Sequence, residues 1–182
     1  MTYTTQHQPA QRTGSDALRT GLLMTAIVTT GLLAGIFADW SNAIMPGLSD
    51  VDDRTFVTAY QALDAAITSP LFLIGFTGAL PLIGLAAALH LRTEQRPVLI
   101  WIGVALVFYL MAFVITFSVH EPLNLKVRTA GDPGSIEDLA AARAMLDEAR
   151  WTVWNTVRAV ASTIAFGSLT WALVIRQRLG RH

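Results

Sequence analysis

The chain has 182 residues, of which 53% are hydrophobic and only 14% charged, with zero net charge and a mean hydropathy of +0.47. A soluble domain of this length carries about a quarter charged residues, so the composition points to a membrane protein. The basic residues are scattered, which excludes a nucleic-acid footprint. There is no cysteine, which excludes a disulfide framework, a thiolate nucleophile and a cysteine metal site.

Four windows contain no Asp, Glu, Lys or Arg: Thr20 to Ala38, Ser69 to Leu89, Pro97 to Val119 and Ala159 to Ile175. A spanning helix needs about 20 apolar residues, and the fourth window reaches that length only by drawing in the upstream "WTVWNTVR". The expected spans are 18–39, 69–91, 97–119 and 151–176, preceded by a flexible tail over 1–17. The first window is longer than the apolar core of a secretory signal and lacks a suitable cleavage site, so it reads as a retained helix. With no internal repeat or domain boundary, residues 1–182 form one domain, an all-α, integral membrane four-helix bundle with helical extensions and a cap on the extracytoplasmic side.

The end of the first helix reads "GIFADWSNAIMPGL", where Asp39, Trp40 and Asn42 precede a rigid Met45-Pro46 turn. In the first long loop Asp50 is a candidate N-cap, and Phe56, Tyr60, Leu63 and Ile67 recur at helical spacing on one face. Pro70 should kink or restart that helix at the bilayer. The third window ends in "ITFSVHEPLNLKV", where His120, Glu121 and a proline arrive together and read as a helix exit. In the second long loop "AGDPGS" is a turn, and Ser135 followed by Glu137 and Asp138 is a helix-start signal. From Ile136 to Arg178 there is no proline. A continuous helix of that length would be roughly 60 Å long and would overshoot the bilayer.

On the fourth helix Trp151, Trp154, Asn155 and Arg158 fall at i, i+3, i+4 and i+7, one helical face. Arg158 lies about two turns inside the helix if Trp151 marks the interface. A guanidinium costs about 2.5–3.5 kcal/mol at the bilayer centre and less near its edge. It should therefore face the bundle and find a partner, with Asp39 or Glu121 as the available carboxylates. The competing reading is an interface anchor, since tryptophan belts and snorkelling arginines are ordinary there. Met45 with His120 would suit copper, but only one histidine lies on the outer side and no zinc motif is present, so no metal is assigned.

The segments "WSNAIMPGL", "AYQALDAAITSPLF", "HEPLN" and "RWTVWNTVR", in this order against four spans, resemble the anthrone oxygenase-like membrane family, long known as a domain of unknown function. The resemblance runs from about Gly21 to Ile175 and departs from the family pattern at Asp64, where asparagine is expected. It implies a small four-helix membrane protein, and some fungal members oxidise anthrones to anthraquinones. Such chemistry removes an acidic C–H proton and passes an electron from the carbanion to dioxygen, which needs no cofactor. The site requires a base near neutrality, a donor for the developing oxyanion and an aromatic-walled pocket that limits water. His120 suits the base. Asn124, Asn155 or Arg158 suits the donor, Trp40, Trp151 and Trp154 suit a flat ring, and Met45 and Asp39 line the same end. Glu121 would orient the imidazole or neutralise Arg158. Two classes of function follow. One is an oxidoreductase using dioxygen, of the anthrone oxygenase-like monooxygenase type, on a hydrophobic aromatic or quinone-like molecule. The other is a non-catalytic small-molecule, lipid-binding or accessory protein in the bilayer.

Orientation follows from the charges. Both chain ends and the short second connection carry seven basic residues (Arg12, Arg19, Arg92, Arg96, Arg176, Arg178, Arg181) against two acids, whereas the long loops carry five against eleven. Basic residues favour the cytoplasmic side, so both termini are expected in the cytoplasm of a multi-pass cell-membrane protein. Single cysteines replacing Ser49 and Ser135 should react with an impermeant maleimide on intact cells, and one replacing Thr93 should not. The reverse pattern inverts the topology.

Overall fold

The computed structural model describes residues 14–91 and 95–180. The tail through residue 13, and the charges Arg12, Arg92, Glu94 and Arg181 on which the orientation partly rests, lie outside the described residues. Helix α1 (Gly14–Asp39) begins earlier than the expected start near residue 18 and passes through a π turn at Trp40–Ile44 into α2 (Met45–Ser49). Then come α3 (Asp53–Ile67) and α4 (Pro70–Leu89). Helix α5 (Arg96–Ile115) passes through a second π turn at Thr116–His120 into α6 (Glu121–Arg128), followed by α7 (Leu139–Ala144) and α8 (Glu148–Leu179). Four stretches are long and apolar enough to cross a membrane: Gly14–Ser49, Pro70–Leu89, Arg96–Arg128 and Leu139–Leu179. The chain is an all-α, multi-pass membrane protein.

The two π turns correct the expectation of a helix exit at His120. Each is followed, one residue later, by a proline: Pro46 after Met45 and Pro122 after Glu121. A proline lacks an amide hydrogen, and its ring presses on the carbonyl four residues back. Widening the preceding turn by one residue accommodates this without ending the helix. Met45 N donates to Trp40 O and Glu121 N to Thr116 O across the widened turns. The third span therefore continues beyond the proline to Arg128.

Cap geometry sets three other boundaries and shifts two of them. Asp52 rather than Asp50 caps α3, accepting the amides of Arg54 and Thr55, each at 3.1 Å. Ser69 caps α4 with Pro70 in its first turn, so the proline restarts a helix. Asp138 rather than Ser135 caps α7, accepting Ala141 N at 2.8 Å. The long continuous fourth helix does not form. The chain turns after α7, and Asp147 adopts a left-handed conformation (φ 53°) while its carboxylate accepts Arg150 N at 3.4 Å. Asp tolerates that region because its short polar side chain bonds locally.

Two apolar cores stack along the bundle. The inner one joins Leu23, Leu33, Phe37, Phe76, Ile83, Ile102, Tyr109 and Leu169 across α1, α4, α5 and α8. Buried Ala105 and Ala112 on α5 and Ala161, Ala165 and Ala172 on α8 let the backbones approach closely, as is usual between helices in lipid. The outer core lies beneath the cap and contains Trp40, Met45, Phe56, Tyr60, Leu123, Leu146 and Trp151. Arg143 ties the cap down. Its Nε donates to Glu148 at 2.7 Å, its Nη1 to Val51 O at 2.9 Å, and its guanidinium lies 4.3 Å from the Phe56 ring centroid. At the opposite end Arg176, a tail charge by sequence, bonds the hydroxyl of Thr20 and donates to Asp16 O at 3.0 Å. The first turns of α1 and the last turns of α8 thus meet at one end of the bundle.

Asp147→Gly should leave the thermal midpoint in detergent nearly unchanged. Asp147→Val, β-branched in a left-handed position, should cost at least about 1–2 kcal/mol. Equal midpoints would show that the turn after α7 is not held by that residue.

Candidate functional site

The π turns bring two side chains to the top of α8. His120 ends the second turn and is 1% exposed, its ring edge-on to Trp151 at 5.0 Å and 89°. Trp40 opens the first turn and lies 5.4 Å from Trp151. Tyr60 on α3 completes the cluster, 6.0 Å from Trp40 and 6.4 Å from Trp151, and stacks on Phe56 at 5.8 Å. Met45 is buried in the same core.

A polar network anchors this aromatic group. Asn124 Oδ1 accepts from Tyr60 Oη at 2.7 Å and from Trp151 Nε1 at 2.9 Å. Its Nδ2 donates to Asp64 Oδ1 at 2.9 Å, and Arg128 Nε donates to Asp64 Oδ2 at 2.7 Å. Arg128 Nη1 then reaches Glu121 at 3.1 Å. Burial, with the nearby Asp64 carboxylate adding to it, pushes the Tyr60 hydroxyl above its ordinary range, so it stays a protonated donor. Asp64, which departs from the expected asparagine, is the acceptor for two donors and carries the charge that holds Arg128.

A second network lies deeper. Asn155, fully buried, donates through Nδ2 to Phe37 O at 2.9 Å and to Ser41 Oγ at 2.7 Å. Its Oδ1 accepts from Arg158 Nη2. Arg158 Nη1 donates to Thr116 Oγ1 at 3.1 Å, and the guanidinium lies 4.1 Å from the Phe37 ring centroid. Arg158 is 6% exposed and forms no ion pair among the described residues.

That last fact corrects the expected pairing with Asp39 or Glu121. Glu121 is engaged with Arg128, so it neither neutralises Arg158 nor orients His120. Asp39 forms no ion pair among the described residues either. The guanidinium is held by a hydroxyl, an amide oxygen and an aromatic face, because those groups lie on the helices facing it at its own depth. Trp154 also departs from expectation: it is 39% exposed, on the flank of α8, while Trp151, Asn155 and Arg158 are buried. The i+3 position is rotated about 60° from the central line of that face, enough to turn it outward.

The polar groups divide into spent and unspent. Asn155 is fully engaged and Asn124 makes three bonds. Neither ring nitrogen of His120 has a hydrogen-bond partner, although backbone of Ile115 and Trp151 lies near it. Arg158 Nε and Ser162 Oγ, one turn further along α8, are also buried without partners. Among the described residues no three of His, Cys, Asp or Glu gather to hold a metal.

Sequence reasoning missed Asp64 as a site residue, together with Thr116, Arg128, Ser41 and Ser162. Asp64 was recoverable: Phe56, Tyr60 and Asp64 fall at i, i+4 and i+8, which puts the acid in the buried stripe of α3.

A bundle of four apolar stretches defines an integral membrane protein whose buried aromatic and polar groups gather where two π turns meet α8. The chain belongs to the anthrone oxygenase family, whose model matches residues 56–168. The match takes in both polar networks except their contributions from α1. No curated protein and no solved structure matches the chain.

Asp64→Ala leaves Asn124 Nδ2 buried without an acceptor and should cost about 1–3 kcal/mol of stability in detergent. Arg128, with its side chain 34% exposed, can turn to water and should add little. Asp53→Ala, removing a 43%-exposed partner of Arg143, should cost at most about 1 kcal/mol. Equal losses would mean that the Asp64 network does not order the site.

Proposed function

We propose that the chain is an oxidoreductase that uses dioxygen on a planar, membrane-partitioning aromatic compound of the anthrone type, with the imidazole of His120 as general base. The observation that carries this reading is that His120 is 99% buried and neither ring nitrogen makes a hydrogen bond of good geometry, with only the backbone of Ile115 and Trp151 near it. Buried polar groups are almost always partnered, and a structural histidine would be expected to bond a carbonyl or carboxylate. Trp40 and Trp151 beside it supply flat apolar walls.

The chemistry balances with dioxygen as the only oxidant. Neutral imidazole takes one proton from the methylene carbon flanked by the aromatic rings, and the electron pair delocalises onto the ketone oxygen as an enolate. The carbanion gives one electron to dioxygen, and the resulting radical and superoxide combine. With one proton returned, this forms a hydroperoxide at that carbon. Loss of the second C–H proton with cleavage of the O–O bond releases water and leaves a carbonyl. Asn124 and Asn155 are already committed within the protein, so Arg158 is the donor best suited to the enolate oxygen. The seven-to-five basic count supports an extracytoplasmic site in the cell membrane, with both termini in the cytoplasm.

The second reading, a non-catalytic carrier of lipid or another small apolar molecule, is favoured by one feature. An open apolar groove of about 410 Å³ runs between α1 and α4, lined by Thr29, Ile74, Gly75, Gly78, Leu82 and their neighbours.

Purified protein should accelerate dioxygen uptake with dithranol, a hydroxylated anthrone. His120→Ala should lower the rate about 100- to 10,000-fold and chelator treatment should not. Full activity in well-folded His120→Ala would refute the base, and no acceleration by the wild-type protein would favour the carrier.

A further inference from the structure

Arg158 carries a net charge that nothing around it cancels. Its side chain is almost completely buried, and the two groups bonded to its Nη atoms, Thr116 Oγ1 and Asn155 Oδ1, are neutral. Phe37 offers a ring face. The titratable groups within electrostatic reach are Tyr60, which is neutral at physiological pH, and His120, which is neutral or cationic. The acids Asp64 and Glu121 are both bonded to Arg128, and neither forms an ion pair with Arg158. A buried cation is ordinarily paired, since desolvation is repaid only by an opposite charge.

The unspent polar atoms lie on both sides of that charge. Thr116, which opens the second π turn, fixes the depth of the guanidinium, and His120 stands at the far end of that turn towards the cap. Ser162 stands one turn below Arg158 on α8. Both ring nitrogens of His120, Arg158 Nε and Ser162 Oγ are buried without partners. One cation and several unsatisfied polar groups, with no acid among them, make a receptor for a single negatively charged oxygen.

We infer that the ligand of this site binds as an anion, a phenolate or enolate whose ionised oxygen is the counter-charge of Arg158. The site therefore selects planar aromatics bearing an ionisable hydroxyl or an enolisable ketone over equally flat hydrocarbons and fully etherified analogues. This rests on the proposed function in taking the ligand to be a planar aromatic, but it concerns binding in the ground state and requires no turnover.

The test uses alizarin, a planar dihydroxyanthraquinone whose colour reports its phenolate and which has no methylene carbon to oxidise. Titrated with purified wild-type protein in detergent, the bound dye should ionise at least about 1 pH unit below the dye in protein-free micelles, as an acid beside a guanidinium does. Arg158→Gln should abolish the shift, Arg158→Lys should retain part of it, and the fully methylated dye should bind measurably more weakly than the dye itself. His120→Ala should keep the shift while losing dioxygen uptake, so failure of the catalytic reading leaves this result standing. A wild-type midpoint equal to that in micelles overturns the inference without recourse to any variant. It is equally overturned by a shift that survives in folded Arg158→Gln, or by dye binding that is lost when chloride replaces gluconate, which would assign the counter-charge to a resident inorganic anion.

Discussion

The outer half of the molecule depends on the amide of Asn155. Within hydrocarbon, every backbone polar group must be satisfied by the protein itself, and a π turn disturbs the regular ladder of a helix. Asn155 Nδ2 meets this demand at the first π turn by donating to Phe37 O and Ser41 Oγ. With both donors committed to α1, the amide cannot flip, and its oxygen is left facing Arg158. One side chain therefore joins α1 to α8, satisfies an irregular backbone and sets the direction of the buried cation. The widened turns that make this necessary also set the depth at which Trp40 and His120 stand.

Asn124 performs the corresponding task nearer the cap, with the charge reversed. Asp64 takes its Nδ2, so its oxygen must face Tyr60 and Trp151. The indole of Trp151 is consequently fixed from one edge while His120 meets it in an edge-on contact. Asparagine in place of Asp64 could still accept from Asn124 but would supply no charge for Arg128, and Glu121 would be left as its only anionic partner. The carboxylate is thus held by Arg128 and Asn124, and it forms no ion pair with Arg158.

The four spans were legible because charge is expensive in hydrocarbon and its absence over a window is visible in any sequence. The buried stripe of α3 was legible from Phe56 and Tyr60 for a similar reason. The π turns were not, since Pro46 and Pro122 carry the same letter whether a helix ends or widens, and only the packing around them decides. For Arg158, burial was legible and the partner was not. Electrostatics alone favoured Asp39 or Glu121, but the helices present Thr116, Asn155 and Phe37 at that depth. Trp154 shows the limit of a face drawn by spacing, because a stripe wide enough to hold four residues includes flanks that turn to lipid.

An uncompensated cation would be a liability in a purely structural role, because a leucine or methionine at position 158 could fill the space without desolvating a charge. Its position suits a transient counter-charge. Arg158 lies deep enough for its interactions to be weakly screened, yet near the end of the bundle. An apolar aromatic entering from the bilayer is neutral, and it becomes an anion only on losing its proton. Under the proposed function, a buried imidazole beside a cation without a counter-ion would make that loss favourable where the ligand arrives. Either feature alone would be a cost to stability. Together they are complementary to one species that the protein does not itself contain.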